Sequence, residues 1–209
     1  MFNRINNKFA FYITILIYVL LTLADVILTY VATPDLVAEG NPLVTVHGFG
    51  WGALLIAQAI SFIVIPYCVY LLFTPYERKV IQCKNFYQFT KQVFTGTYPN
   101  GIRWYFHHIW QSWARYSRYV SFLIIVVIFV LRIVAIIEWS LIIYANTVPL
   151  TGWWHSPLRD IPFFNIFTYD MPLSMYVAVT AITAFIATGI WYAREYKINK
   201  RMLNKGGTN

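Results

Sequence analysis

The chain has 209 residues, a length for one domain. It is 59% hydrophobic and only 11% charged, against about 25% charged in soluble domains, which excludes an ordinary water-soluble globule and points to lipid as the solvent. The net charge of +8 falls almost wholly on one side of the membrane topology derived below, which argues against a nucleic-acid surface.

A spanning helix needs about 20 apolar residues, and four stretches satisfy that. The first covers residues 9–32. Its basic start, Arg4 and Lys8, resembles that of a signal peptide, but a signal core runs only about 7–15 residues. This run is far longer and holds Asp25, so it is read as a retained helix. The loop after it carries Pro34, Gly40 and Pro42, all of which punctuate regular structure. The second span covers 49–73, with Pro66 inside it as a predicted kink.

Residues 74–118 form a connection of about 45 residues, too long for an idle link. It reads as two amphipathic pieces around the turn Thr97-Tyr98-Pro99-Asn100-Gly101. In the first piece Val80, Cys83 and Phe86 or Tyr87 make a weak stripe. In the second, Ile102, Phe106, Ile109 and Trp113 fall at i, i+4, i+7 and i+11, a helical stripe with Arg103 and Arg115 off it. Such helices lie among headgroups, with basic residues towards anionic lipid and the aromatic residues, Trp110 among them, available to a partner. His107 and His108 are adjacent and point about 100° apart on a helix, so one centre cannot easily use both. No histidine falls inside a span, which argues against haem.

The third span covers 119–144 and the fourth 172–192, separated by a loop with Trp153 and Trp154. Fourteen of the 16 basic residues then fall on one side: Arg4 and Lys8, seven in the loop after span two, and five after span four. The positive-inside rule makes that side cytoplasmic. The fold class predicted is an all-α membrane protein of four transmembrane helices, both termini inside, in a bacterial or archaeal plasma membrane. Cys68 and Cys83 are expected as reduced thiols.

Three ionisable residues fall within spans: Asp25, Arg132 and Glu138. Each costs about 2.5–3.5 kcal/mol on an insertion scale. Counted at about 1.5 Å per residue, Asp25, Gln58, Glu138 and Thr180 come to a similar depth, one from each helix. Arg132 is about 9 Å deeper than Glu138 and turned about 120° from it, so the two do not pair as i,i+4 neighbours, and Arg132 could instead extend towards Asp25 on another helix. Thr29 shares a face with Asp25. Two carboxylates against one arginine in a low dielectric suit a proton or substrate site. The same residues also suit interhelical polar glue.

Asp25-Val-Ile-Leu-Thr29 followed by Glu39-Gly-Asn41-Pro42-Leu43 resembles a family of small bacterial and archaeal integral membrane proteins with no assigned activity. Their first helix carries Asp-x-x-x-Thr and the next loop Glu-x-Asn-Pro. The resemblance covers about 35 residues and implies that Asp25, Thr29, Glu39, Asn41 and Pro42 matter. Asn41-Pro42 also suits a turn. Glu39, His47 and His155 beside Asp25 could make a metal group, but one lacking recognisable ligand spacing. No metal and no cofactor are expected.

Three classes of function remain. The foremost is a non-enzymatic subunit or anchor of a larger membrane complex, with anionic lipids and other membrane subunits, or copies of itself, as partners. The second is a small transporter or channel component using the intramembrane polar layer. The third is a membrane enzyme acting on a lipid-type substrate. No phosphate loop, His-Glu-x-x-His or Gly-x-Ser-x-Gly motif supports the third.

Overall fold

The computed structural model describes residues 4–36, 50–76, 78–94, 113–147 and 172–206. These form five helices and no strand: α1 Arg4–Ala32, α2 Trp51–Phe73, α3 Phe86–Gln92, α4 Trp113–Thr147 and α5 Pro172–Gly206. Four of them, all but α3, contain a stretch long and apolar enough to cross a membrane, which marks a multi-pass membrane protein. α4 and α5 have 35 residues each, about 52 Å at about 1.5 Å per residue. That exceeds a hydrocarbon core of about 30 Å, so both helices run on beyond it.

α4 is the hub. It packs against α1, α2 and α5, and α1 also packs against α2. Among the described residues the main contacts of α5 are with α4, plus a small one with α3. The architecture is therefore a three-helix unit with a fourth span on its flank. Tyr18, Ile65, Cys68, Val69 and Ile125 form the buried core of that unit, joined by Phe11, Ile15, Leu72 and Phe129. Tyr18 stacks near-parallel on Phe129 at 6.2 Å and meets Phe62 edge-on at 5.4 Å.

α1 is inverted relative to a soluble helix. Its buried residues are Tyr18, Thr22, Asp25 and Thr29, while Leu16, Leu20, Leu23 and Ile27 are exposed. In lipid that is the favourable sense, since apolar side chains lose nothing by facing hydrocarbon and polar ones must find partners inside. α1 ends at Ala32, and the chain turns through Thr33, Pro34 and Asp35. Leu36 closes the turn with its amide on the Thr33 carbonyl at 3.0 Å and a φ of 62°. Trp51, opening α2, donates its indole N–H to the Pro34 carbonyl at 2.8 Å and meets Tyr30 edge-on. α2 passes through Pro66 as one helix.

At the opposite, basic end the segment from Arg78 to Phe94 folds onto α5 and the start of α4. The amphipathic stripe predicted there is not what forms. Residues 78–85 are not helical, and Val80, Phe86 and Tyr87 are exposed. Ile81, Phe89 and Val93 are buried instead, against Trp191 of α5, with Phe94, Tyr119 and Tyr196 around them. Local hydrogen bonding explains the difference. Asn85 is extended and caps α3, its Oδ1 accepting from the Gln88 amide at 2.9 Å. Gln88 Oε1 reaches back to the Lys84 amide at 2.8 Å, so the helix cannot begin before Phe86. Phe94 stacks on Trp191 at 5.5 Å, and Tyr119 packs on the same ring at 5.0 Å.

Candidate functional site

Two polar clusters stand out, one between the spans and one at the basic end. The first joins α1, α2 and α4. Arg132 pairs with Asp25 through Nη1 and donates to Gln58 Oε1 through Nη2. One guanidinium thus ties three helices together with two charge-assisted bonds. Both charged side chains are largely withdrawn from the surface. The polar chain continues. The backbone carbonyl of Gln58 accepts from Ser61 Oγ at 2.7 Å, and Ser61 Oγ also bonds the Tyr18 hydroxyl. A serine has one proton, already given to Gln58, so Tyr18 is the donor to Ser61. Thr22, one turn from both Tyr18 and Asp25, keeps a buried hydroxyl with no hydrogen-bond partner.

The polar layer read from depth alone is thereby divided. The structure brings Asp25, Gln58 and Arg132 together, with Thr29 buried one turn further along the α1 face. Thr180 does not join, because α5 lies on the flank against α4. The two bonds that close the cluster do not include Glu138 either. It is half-buried and has contacts of its own, and its six-residue offset on α4 turns it from the Arg132 face. Glu39, Asn41, Pro42, His47 and His155 lie outside the described residues, as do Arg103, Phe106, His107, His108, Ile109 and Trp110.

The second cluster surrounds Glu195 of α5. Its Oε2 lies 3.4 Å from the Tyr76 hydroxyl, 3.7 Å from Arg78 Nε and 3.9 Å from Arg115 Nε. Arg78 Nε donates to the Tyr76 hydroxyl at 3.2 Å. The guanidinium carbons of Arg78 and Arg118 sit 4.6 and 3.9 Å from the centre of the Tyr76 ring. Arg115 differs from the expectation of a headgroup-facing loop residue. It is 7% exposed and lies within α4, donating to the Val93 and Lys79 carbonyls at 2.9 Å each. Arg118 clamps the end of α2 in the same way, donating to the Thr74 carbonyl at 3.1 Å. Trp113, placed on the same predicted stripe, opens α4 and is exposed.

One turn beyond Glu195, Asn199 acts as a strand-like partner for the loop. It is 2% exposed. Its Oδ1 accepts from the Ile81 amide at 2.8 Å and its Nδ2 donates to the Ile81 carbonyl at 2.9 Å. Nδ2 also approaches Cys83 Sγ at 3.6 Å. Burial pushes the Cys83 thiol up, against a smaller opposing effect of that contact. Cys68 and Cys83 are both free thiols. After span four only the five basic residues stand out in the sequence, and Glu195 and Asn199 do not. The signal was there: Trp191, Glu195 and Asn199 recur at i, i+4 and i+8, and Glu195 stands alone among basic neighbours.

Among the described residues no group of three His, Cys, Asp or Glu side chains could hold a metal ion. No family model, curated protein or solved structure matches the chain. Function must therefore be argued from these two clusters.

Proposed function

We propose that the protein is a non-enzymatic, multi-pass scaffold of a plasma-type membrane, with both termini cytoplasmic, which anchors or assembles with other membrane subunits. The observation that carries this reading is the closure of the intramembrane cluster. Asp25, Gln58 and Arg132 are bonded to one another across three helices, and charge spent on holding helices together is structural glue. The flanking position of α5 adds support. Its Val177, Ile182, Phe185 and Ile186 are exposed, leaving an apolar face for lipid or for another spanning helix. The orientation rests on the side-to-side imbalance of Lys and Arg.

A transport reading has one observation in its favour, the row of polar groups Tyr18, Ser61, Gln58, Arg132 and Asp25 across the three-helix unit, which meets at the backbone carbonyl of Gln58 on one side and at its side chain on the other. One variant separates the two. Replacing all three polar groups by apolar ones (Asp25→Leu, Gln58→Met, Arg132→Met) removes every titratable group of the cluster while keeping its volume. A scaffold retains its co-purifying subunit and its role in cells. A transporter retains insertion and loses flux. The scaffold reading fails outright if the native chain, extracted gently at natural expression, carries no stoichiometric partner.

A further inference from the structure

The two clusters differ in charge balance. Between the spans one arginine meets one carboxylate. At the basic end Arg78, Arg115 and Arg118 gather around Tyr76, and Glu195 is the one carboxylate bonded to them among the described residues. Arg115 and Arg118 are 7% and 9% exposed. Their remaining bonds go to backbone carbonyls, which are neutral. Each also keeps a buried Nε–H with no hydrogen-bond partner among the described residues. Buried charge is costly unless an opposite charge and full hydrogen bonding offset it; here one carboxylate, 3.9 Å from Arg115 Nε, faces two buried arginines whose hydrogen bonding is incomplete. Arg78 is the open side of the group. Its side chain is 29% exposed, and among the described residues only its Nε makes a hydrogen bond, which leaves both terminal nitrogens to face a ligand.

We propose that Arg78, Arg115 and Arg118, with Tyr76, form a binding site for a phosphate group. The chemistry selects phosphate over a simple halide. The terminal nitrogens of Arg78 offer N–H donors in fixed directions, which a tetrahedral oxyanion can accept together, while Arg115 and Arg118, whose forks are held by backbone carbonyls, contribute their charge. The position also suits it. The cluster joins the chain leaving α2 to the start of α4 and the far part of α5, where long helices run on past the hydrocarbon, at the level of lipid phosphates. The phosphate comes from an anionic lipid headgroup or from a soluble phosphorylated molecule. The site stands independently of the scaffold reading, since a transporter could carry it equally.

The test uses the full-length protein, delipidated in mild detergent, with its thermal midpoint followed during titration. The probes are phosphatidylglycerol, phosphatidylcholine, and inorganic phosphate against chloride at equal ionic strength. Stabilisation by phosphatidylglycerol alone assigns a lipid. Equal stabilisation by inorganic phosphate assigns a soluble ligand. In either case Arg78→Gln should need at least about tenfold more ligand for half the effect. Arg194→Gln, an exposed cation on the same α5, should need no more than the native protein. Arg78 is on the open side, so its loss leaves the buried clamps intact and the variant folded. No response to any phosphate probe, or an unchanged response in Arg78→Gln, overturns the site.

Discussion

Replacing Arg132 with methionine tests the intramembrane cluster most sharply, because it removes two bonds through one side chain. Asp25 loses its ion pair and Gln58 Oε1 loses its donor, while an apolar side chain of similar length fills the space. Breaking a buried pair from one side costs about 3–5 kcal/mol in soluble proteins. The net worth of a polar contact between membrane helices is far smaller, about 0.6 kcal/mol on average. The two figures answer different questions, and their difference is the prediction. Arg132→Met strands a carboxylate 8% exposed and should lose about 3 kcal/mol. The triple apolar variant strands nothing and should lose only about 1 kcal/mol, the net worth of two contacts. Both are read from unfolding equilibria in mixed detergent, followed by helicity. A single variant within about 1 kcal/mol of native, or a triple variant less stable than the single, would refute the reasoning.

Asn199→Leu should release the segment around Ile81, since two bonds to buried backbone are lost at once. At about 1–3 kcal/mol for the stranded groups, opening becomes about fivefold more frequent or better. The readout is thiol labelling. Only the thiolate reacts, and burial holds the Cys83 thiol up, so native labelling is displaced to higher pH. The variant should label faster at pH 7, with its profile moved back to lower pH; an unmoved profile would count against Asn199 as the latch. Trp191→Ala removes the ring against which Phe94 and Tyr119 pack and should cost about 3–5 kcal/mol, measured as thermal midpoint and protease cleavage of residues 78–94. For the topology, Asn100→Cys in a background lacking Cys68 and Cys83 should resist an impermeant thiol reagent in intact cells and react after lysis. Labelling in intact cells would invert the orientation.

The spans were legible because lipid demands long apolar runs: 49–73 matches α2 to within two residues, and 9–32 ends where α1 ends but begins five residues after it. The reach of Arg132 towards Asp25 was one option the sequence left open, since helical rotation turns Arg132 from Glu138 while depth alone puts it about 9 Å below the layer. The polar face of α1 could have been read further, since Tyr18, Thr22, Asp25, Thr29 and Thr33 repeat at helical spacing. Which helix sits beside which was not legible. Depth placed Thr180 level with Asp25, but depth carries no information on lateral neighbours, and α5 turned out to flank α4. The basic end was misread for a related reason. Arg115 and Glu195 are far apart in sequence, and nothing local announces that Arg115 will give its donors to the Val93 and Lys79 carbonyls. Only the folding of residues 78–94 onto α5 creates those acceptors.

Both clusters depend on α4, through Arg132 in one and Arg115 and Arg118 in the other. That follows from the solvent. Apolar packing cannot tell a neighbouring helix from lipid tails, so the helix that touches all others is the one where directional bonds specify the arrangement. The balance of charge then separates structure from function. Asp25 and Arg132 cancel, and a cancelled pair has little left to offer a ligand. Among the described residues around Tyr76, three arginines meet one bonded glutamate, with two buried N–H groups unsatisfied. A fold does not hold such an imbalance cheaply, so the search for what this protein recognises belongs at its basic end.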